Sequence, residues 1–215
     1  QGGASSFAGA EFTIRFFPTL EHDYSKVDPL RTWIVETDER GLVDLRKGDG
    51  CKVSGDDFFY DATGVITLPI GTYEIRETKA PTGYKINESA VVRTVTGCAN
   101  SGEAVSSYNT PIIVDNIMRG GLELEKRDAE SGLQSALGSG TLENTTFTIT
   151  NNNSHEVKVD GIFYQPGEVC ATLVAKEGKA ALAPTTLPYG EYMLTEVSAG
   201  DGYNLSDGDP RPFSI

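Results

Sequence analysis

Basic residues are scarce in this chain. Against 31 Asp and Glu there are 18 Lys and Arg, giving a formal net charge of −13 and a pI near 4.5. That balance excludes nucleic acid and anionic membrane surfaces as partners, because both are gripped by a basic patch. Long hydrophobic runs are missing too: no stretch approaches the ~18 apolar residues of a membrane span, so this segment is not expected to insert in a bilayer. Only two histidines occur, His22 and His155, in turn-like contexts with no serine or cysteine elbow, and neither a P-loop nor a dinucleotide glycine fingerprint is present. A turnover enzyme is therefore not expected. Cysteine is limited to Cys51, Cys98 and Cys170, whose spacing fits no zinc motif. No metal or cofactor is implied. Cys51 and Cys98 are candidates for a disulfide in an oxidising compartment, which leaves Cys170 free. The opening Gln1-Gly2-Gly3 reads as the edge of a fragment, and no Leu-Pro-x-Thr-Gly sorting signal is seen.

What the chain does contain is a repeat. Residues 67–87, TLPIGTYEIRETKAPTGYKIN, return as residues 186–206, TLPYGEYMLTEVSAGDGYNLS. Each copy holds a Leu-Pro opener, a glycine turn, a tyrosine, a glutamate and a closing Gly-Tyr, so the chain divides into two modules, 1–118 and 119–215. Short alternating runs recur between turn signals, at 12–17 (FTIRFF), 31–37 (RTWIVET), 90–96 (AVVRTVT), 111–118 (PIIVDNIM), 122–127 (LELEKR), 145–150 (TTFTIT), 169–176 and 212–215. No long amphipathic helix is found. The expected class is all-β, two tandem immunoglobulin-like or prealbumin-like β-sandwiches. Residues 48–64 carry Asp49, Asp56, Asp57 and Asp61 at spacings that match no calcium loop, and read as a solvated acidic loop.

Strand alternation puts polar residues on apolar faces. Tyr73, Ile75 and Glu77 share one side, as do Tyr192, Leu194 and Glu196; Leu122 and Leu124 lead to Lys126; and Ile112, Val114 and Met118 flank Asn116. One reading is that these groups sit at strand ends and snorkel to water. The other takes them as a set. Burial favours the neutral amine of a lysine and the acid form of a glutamate, a neutral amine is a nucleophile, and a protonated carboxyl can shuttle protons to a carboxamide. Such a trio has the parts to expel ammonia and leave a Lys–Asn isopeptide bond.

Residues 73–84, YEIRETKAPTGY, closely resemble the "E-box" (Y-x-L-x-E-T-x-A-P-x-G-Y) of collagen-adhesin B-type repeats, the prealbumin-like domains of Gram-positive surface proteins and sortase-assembled pilins. The Leu-Pro-x-Gly lead-in resembles theirs as well. Residues 124–132, LEKRDAESG, are similar to the K-x-D-x-x-[TS]-G that opens such a repeat, while the second E-box departs from the pattern with Val197 for Thr and Gly200 for Pro. The resemblance implies that Glu77 and Glu196 are the bond-assisting acids, Lys126 the amine of the second module and Asn116 the acceptor of the first. It also places the opening lysine of the first module ahead of Gln1 and the closing asparagine of the second past Ile215. The function implied is a structural stalk or backbone module of a wall-anchored adhesin or pilin on the surface of a Gram-positive bacterium, joined to neighbouring domains of its own polypeptide, with at most a single-turnover reaction on itself. The alternative is a domain that binds a host matrix protein or glycan through the aromatic stretches Phe58-Phe59-Tyr60 and Phe163-Tyr164.

Overall fold

A computed structural model describes residues 6–20, 23–96, 112–205 and 210–215. The chain forms two compact units, which divide between Asn116 and Ile117. The first holds β1 (Glu11–Phe17), β2 (Arg31–Glu36), β3 (Lys52–Gly55), β4 (Phe59–Tyr60), β5 (Ile66–Thr67), β6 (Gly71–Lys79), β7 (Tyr84–Lys85) and β8 (Val91–Val95). The short β9 (Asn116–Ile117) marks the passage to the second unit. There follow β10 (Arg119–Glu125), β11 (Thr146–Asn151), β12 (Val157–Val159), β13 (Ile162–Tyr164), β14 (Val169–Val174), β15 (Lys179–Pro188), β16 (Glu191–Ser198) and β17 (Arg211–Ser214).

Each unit is built on an antiparallel sheet with the repeat strand inside it, β3-β2-β1-β6-β8 in the first and β14-β11-β16-β17 in the second. The second also has the pairs β10-β15 and β12-β13, the first the pairs β4-β5 and β7-β9. In the first unit Phe16, Trp33, Val35, Phe58 and Tyr73 form the core; in the second, Phe147, Ile149, Val157, Leu187 and Tyr192 do.

The repeated Leu-Pro-x-Gly-x-Tyr has a local explanation. Gly71 and Gly190 adopt φ of 153° and 152°, where a side chain is strained, and a Cβ there would run into the Phe17 carbonyl or the Asn153 amide. The tight turn lets the tyrosine reach back, so the Tyr73 hydroxyl donates to the Pro69 carbonyl at 2.9 Å and that of Tyr192 to Pro188 at 2.8 Å. Both phenols thus bury their rings with their polar ends satisfied.

The repeats differ in what covers them. In the second unit β10 pairs antiparallel with β15, and Leu187 is fully buried. In the first, β5 pairs only with β4 among the described residues, and Leu68, the counterpart of Leu187, is 44% exposed.

Several sequence expectations are corrected here. The acidic loop at 48–64 contains β3 and β4, and Phe58 and Phe59 pack into the core. Residues 157–164 form a hairpin and 179–188 a ten-residue strand, neither anticipated from the sequence. Along 112–118 the face is the reverse of that expected: Ile112 and Val114 are 84% and 69% exposed and Asn116 is exposed, while Ile113, Asp115 and Ile117 are half-buried.

Candidate functional site

The repeat glutamates occupy equivalent places in their sheets. Glu77 lies opposite Phe12, Glu196 opposite Phe147, and in both ladders the register shifts immediately beside that phenylalanine. Such a bulge turns the side chain that follows it. Both glutamates are buried, at 4% and 6% exposure.

In the second unit Glu196 meets Lys126. The ammonium Nζ, one residue beyond the end of β10, donates to Oε1 at 2.8 Å and Oε2 at 2.6 Å. Leu124 sets the approach by packing on the core. A cleft of about 480 Å³ opens over the pair, lined by Leu124, Lys126, Phe147, Glu196, Tyr203 and Arg211 among others. The lysine and glutamate are thus charge-paired, whereas the sequence argument pictured each as neutral by burial. A bidentate contact offsets the desolvation of both ions.

The first unit presents the other half of the arrangement. Glu77 Oε2 accepts from the Asn87 amide at 2.5 Å, while Glu77 Oε1 and Asp115 Oδ1 are buried with no hydrogen-bond partner. Burial raises the pKa of both carboxyls, and the neighbouring Asp115 charge raises that of Glu77 further. Two such carboxyls, with no other donor at hand, can satisfy each other only by sharing a proton, and their interaction lowers Asp115 while raising Glu77, which biases that proton toward Glu77. Asp115, one residue ahead of β9, is therefore the residue that faces the glutamate. Asn116 points outward, because alternation places neighbouring residues on opposite faces.

A groove of about 170 Å³ in this unit is lined by Phe12, Ile14, Val35, Ile75 and Ile113 among others.

Of the cysteines, Cys51 is buried with a free thiol 3.4 Å from the Gly48 carbonyl, and burial raises its pKa; Cys98 lies outside the described residues. Cys170 is a free buried thiol pushed up to about 11 by its apolar surroundings. Among the aromatic ligand candidates Tyr60 and Phe163 are exposed at 48% each, but Tyr164 packs on the core. His22 lies outside the described residues. No helix among the described residues is long and apolar enough to cross a membrane.

A family model, SpaA, described as a prealbumin-like fold domain, matches residues 1–110 and again 120–215. The chain belongs to this family. Its two SpaA-type domains coincide with the two all-β units described above. Direct comparison with curated proteins gives no match. Among solved structures, the Bacillus anthracis TIE protein is similar over 97% of the chain and 28% of its own length, with 24% identity and a TM-score of 0.54. The shaft pilin SpaA of Lactobacillus rhamnosus GG matches over 96% of the chain and 80% of its own length at 15% identity and a TM-score of 0.33. For GBS52, the minor pilin of Streptococcus agalactiae, the figures are 98%, 79%, 15% and 0.31. The SpaA-type pair thus spans about a quarter of the TIE protein.

Proposed function

We propose that this chain is a stalk segment of a wall-anchored pilin or adhesin on a Gram-positive cell surface, whose domains close themselves by a lysine-to-acid isopeptide bond assisted by the E-box glutamate. Family membership supports the structural role. The observation that carries the chemistry is that the two repeats bury glutamate at one register and set beside it complementary reactants, an amine in one and a carboxyl in the other.

In the second unit Glu196 is placed to take a proton from the Lys126 ammonium, which frees the amine to attack an incoming side-chain carbonyl carbon. In the first, the protonated Glu77 donates toward Asp115, so that attack by an amine at Asp115 Cγ expels water. Asp115 replaces Asn116 as the proposed acceptor. Because the reaction is consumed by its own product, the domain is no turnover enzyme. Closing a loop of about 100 residues would stabilise each domain by roughly 4 to 5 kcal/mol, by analogy with a disulfide of that span.

The test is the intact mass of a longer natural polypeptide that includes residues on both sides of this segment. An aspartate acceptor in the first domain removes one water, a deficit of about 18 Da, against about 17 Da for ammonia from an asparagine. Glu77→Ala should restore the full mass of that domain. An unchanged mass in the unsubstituted polypeptide would sink the proposal.

A further inference from the structure

Lys126 stands where the sheet can no longer hold it. The last cross-strand pair of β10 is Glu125 with Lys179, after which the Lys126 amide makes one more bond, to the Gly178 carbonyl at 2.7 Å. A lysine reaches its partner through four rotatable carbons, so a bidentate contact requires that its backbone be fixed from both sides.

On the far side is Asp128, 4% exposed. Its Oδ1 accepts from the amides of Glu130 at 3.0 Å and Ser131 at 2.7 Å, and its main chain closes a turn with Gly132 and Leu133. Its Oδ2 accepts the Tyr203 hydroxyl at 2.7 Å, a bond spanning 75 residues of sequence. Tyr203 lies on the other flank of the pair, seven positions beyond Glu196 (203 − 196). The main chain reaches it through Gly202 at φ +83°, and Gly140 leaves room for its ring: a Cβ there would approach Tyr203 Cε2 to 3.0 Å. The hydroxyl also accepts the Leu137 amide at 3.2 Å. One end of Tyr203 therefore grips the turn after the lysine, and its ring walls the cleft that holds both reacting groups.

We propose that Tyr203 and Asp128 are a positioning pair that fixes Lys126 over Glu196, an inference that rests on the bond-forming reading of that pair. It explains why the opening K-x-D and the closing G-Y occur together in one repeat. The lysine motif supplies the acceptor of the clasp, and the E-box supplies its donor.

The experiment uses the full chain with 15N-labelled lysine. The Lys126 ammonium signal is assigned by its loss in Lys126→Arg, and its proton exchange with water is compared in Tyr203→Phe and Asp128→Asn. The clasp predicts exchange faster by about tenfold in both variants, the scale of one lost charge-assisted hydrogen bond, with amide protection in β11 and β16 unchanged. Unaltered lysine exchange in folded Tyr203→Phe and Asp128→Asn overturns it. So does a parallel loss of amide protection across β11 and β16, which assigns the bond to the fold and not to the lysine. Neither readout depends on covalent closure, so a failure of the mass test leaves this result legible on its own.

Discussion

Glu77 and Glu196 share a register and differ in company. The alternation along residues 73–77 and 192–196 makes the glutamates legible as inward from sequence, because each closes a row that tyrosine begins. Asp115 was not legible. Ile112, Ile113 and Val114 are consecutive apolar residues, so a period of two has no phase there, and a phase begun on Ile112 leads to Asn116. The signal that existed was chemical, an acid set in an apolar run. Because the folded pKa of Glu77 lies above its ordinary value of 4.5, folding binds a proton more tightly than the open chain does. Stability from this pair is fully present below that ordinary value and is lost as pH rises through the raised one. Glu77→Gln leaves one carboxylate with a permanent amide donor. Thermal unfolding of the first unit should then lose its decline with rising pH; an unchanged decline would count against the shared proton.

Asn151 is the other informative residue, fully buried at the end of β11. Its Nδ2 donates to the His155 and Tyr164 carbonyls at 3.0 Å each, and its Oδ1 accepts from the amide and side chain of Asn153. In sequence it looks like the first residue of a turn, which conceals that it closes the loop leading to β12. Asn151→Ala orphans two carbonyls and should cost roughly 2 to 6 kcal/mol at about 1 to 3 per abandoned group, read by urea denaturation.

At the scale of elements, most strands announced themselves and three regions did not, the first being β3 and β4 within the acidic run at 48–64. β15 contains Pro184 and ends on Pro188, residues that argue against a strand interior; among the described residues it pairs only with β10, so its prolines sit on an edge strand where a missing donor is tolerated. The β12–β13 hairpin was available as V-K-V-D-G-I-F-Y, with Asp160 and Gly161 at φ 47° and 86° in a turn that favours that dipeptide. The cover that β10 gives β15 has a measurable consequence. Leu187→Ala should destabilise the second unit by about 2 to 5 kcal/mol, as for other fully buried leucines, whereas Leu68→Ala should stay within roughly 0.5 kcal/mol. Equal losses in chemical denaturation would mean that Leu68 is covered by something the strand order does not show.

For the whole molecule, the two domains should answer acid in opposite senses. Asp128 is held at about 2 by the Ser131 amide and by the Tyr203 hydroxyl, below its ordinary 3.8. Its contribution is present above that ordinary value and lost as pH falls through about 2. The first domain is favoured by mild acid through Glu77 and Asp115, and the second loses support only in strong acid. Hydrogen exchange followed domain by domain across this range should show the first weakening on the alkaline side and the second on the acid side. A common profile would contradict the separate origins assigned to them.

Asp115 and Lys126 are eleven positions apart along the chain (126 − 115). Were each anchored covalently inside its own domain, a pull along the polypeptide could draw out only that tether, roughly 40 Å at full stretch from about 3.6 Å per residue. The extensibility of the pair would then be set by its junction, each closed domain adding length without adding compliance.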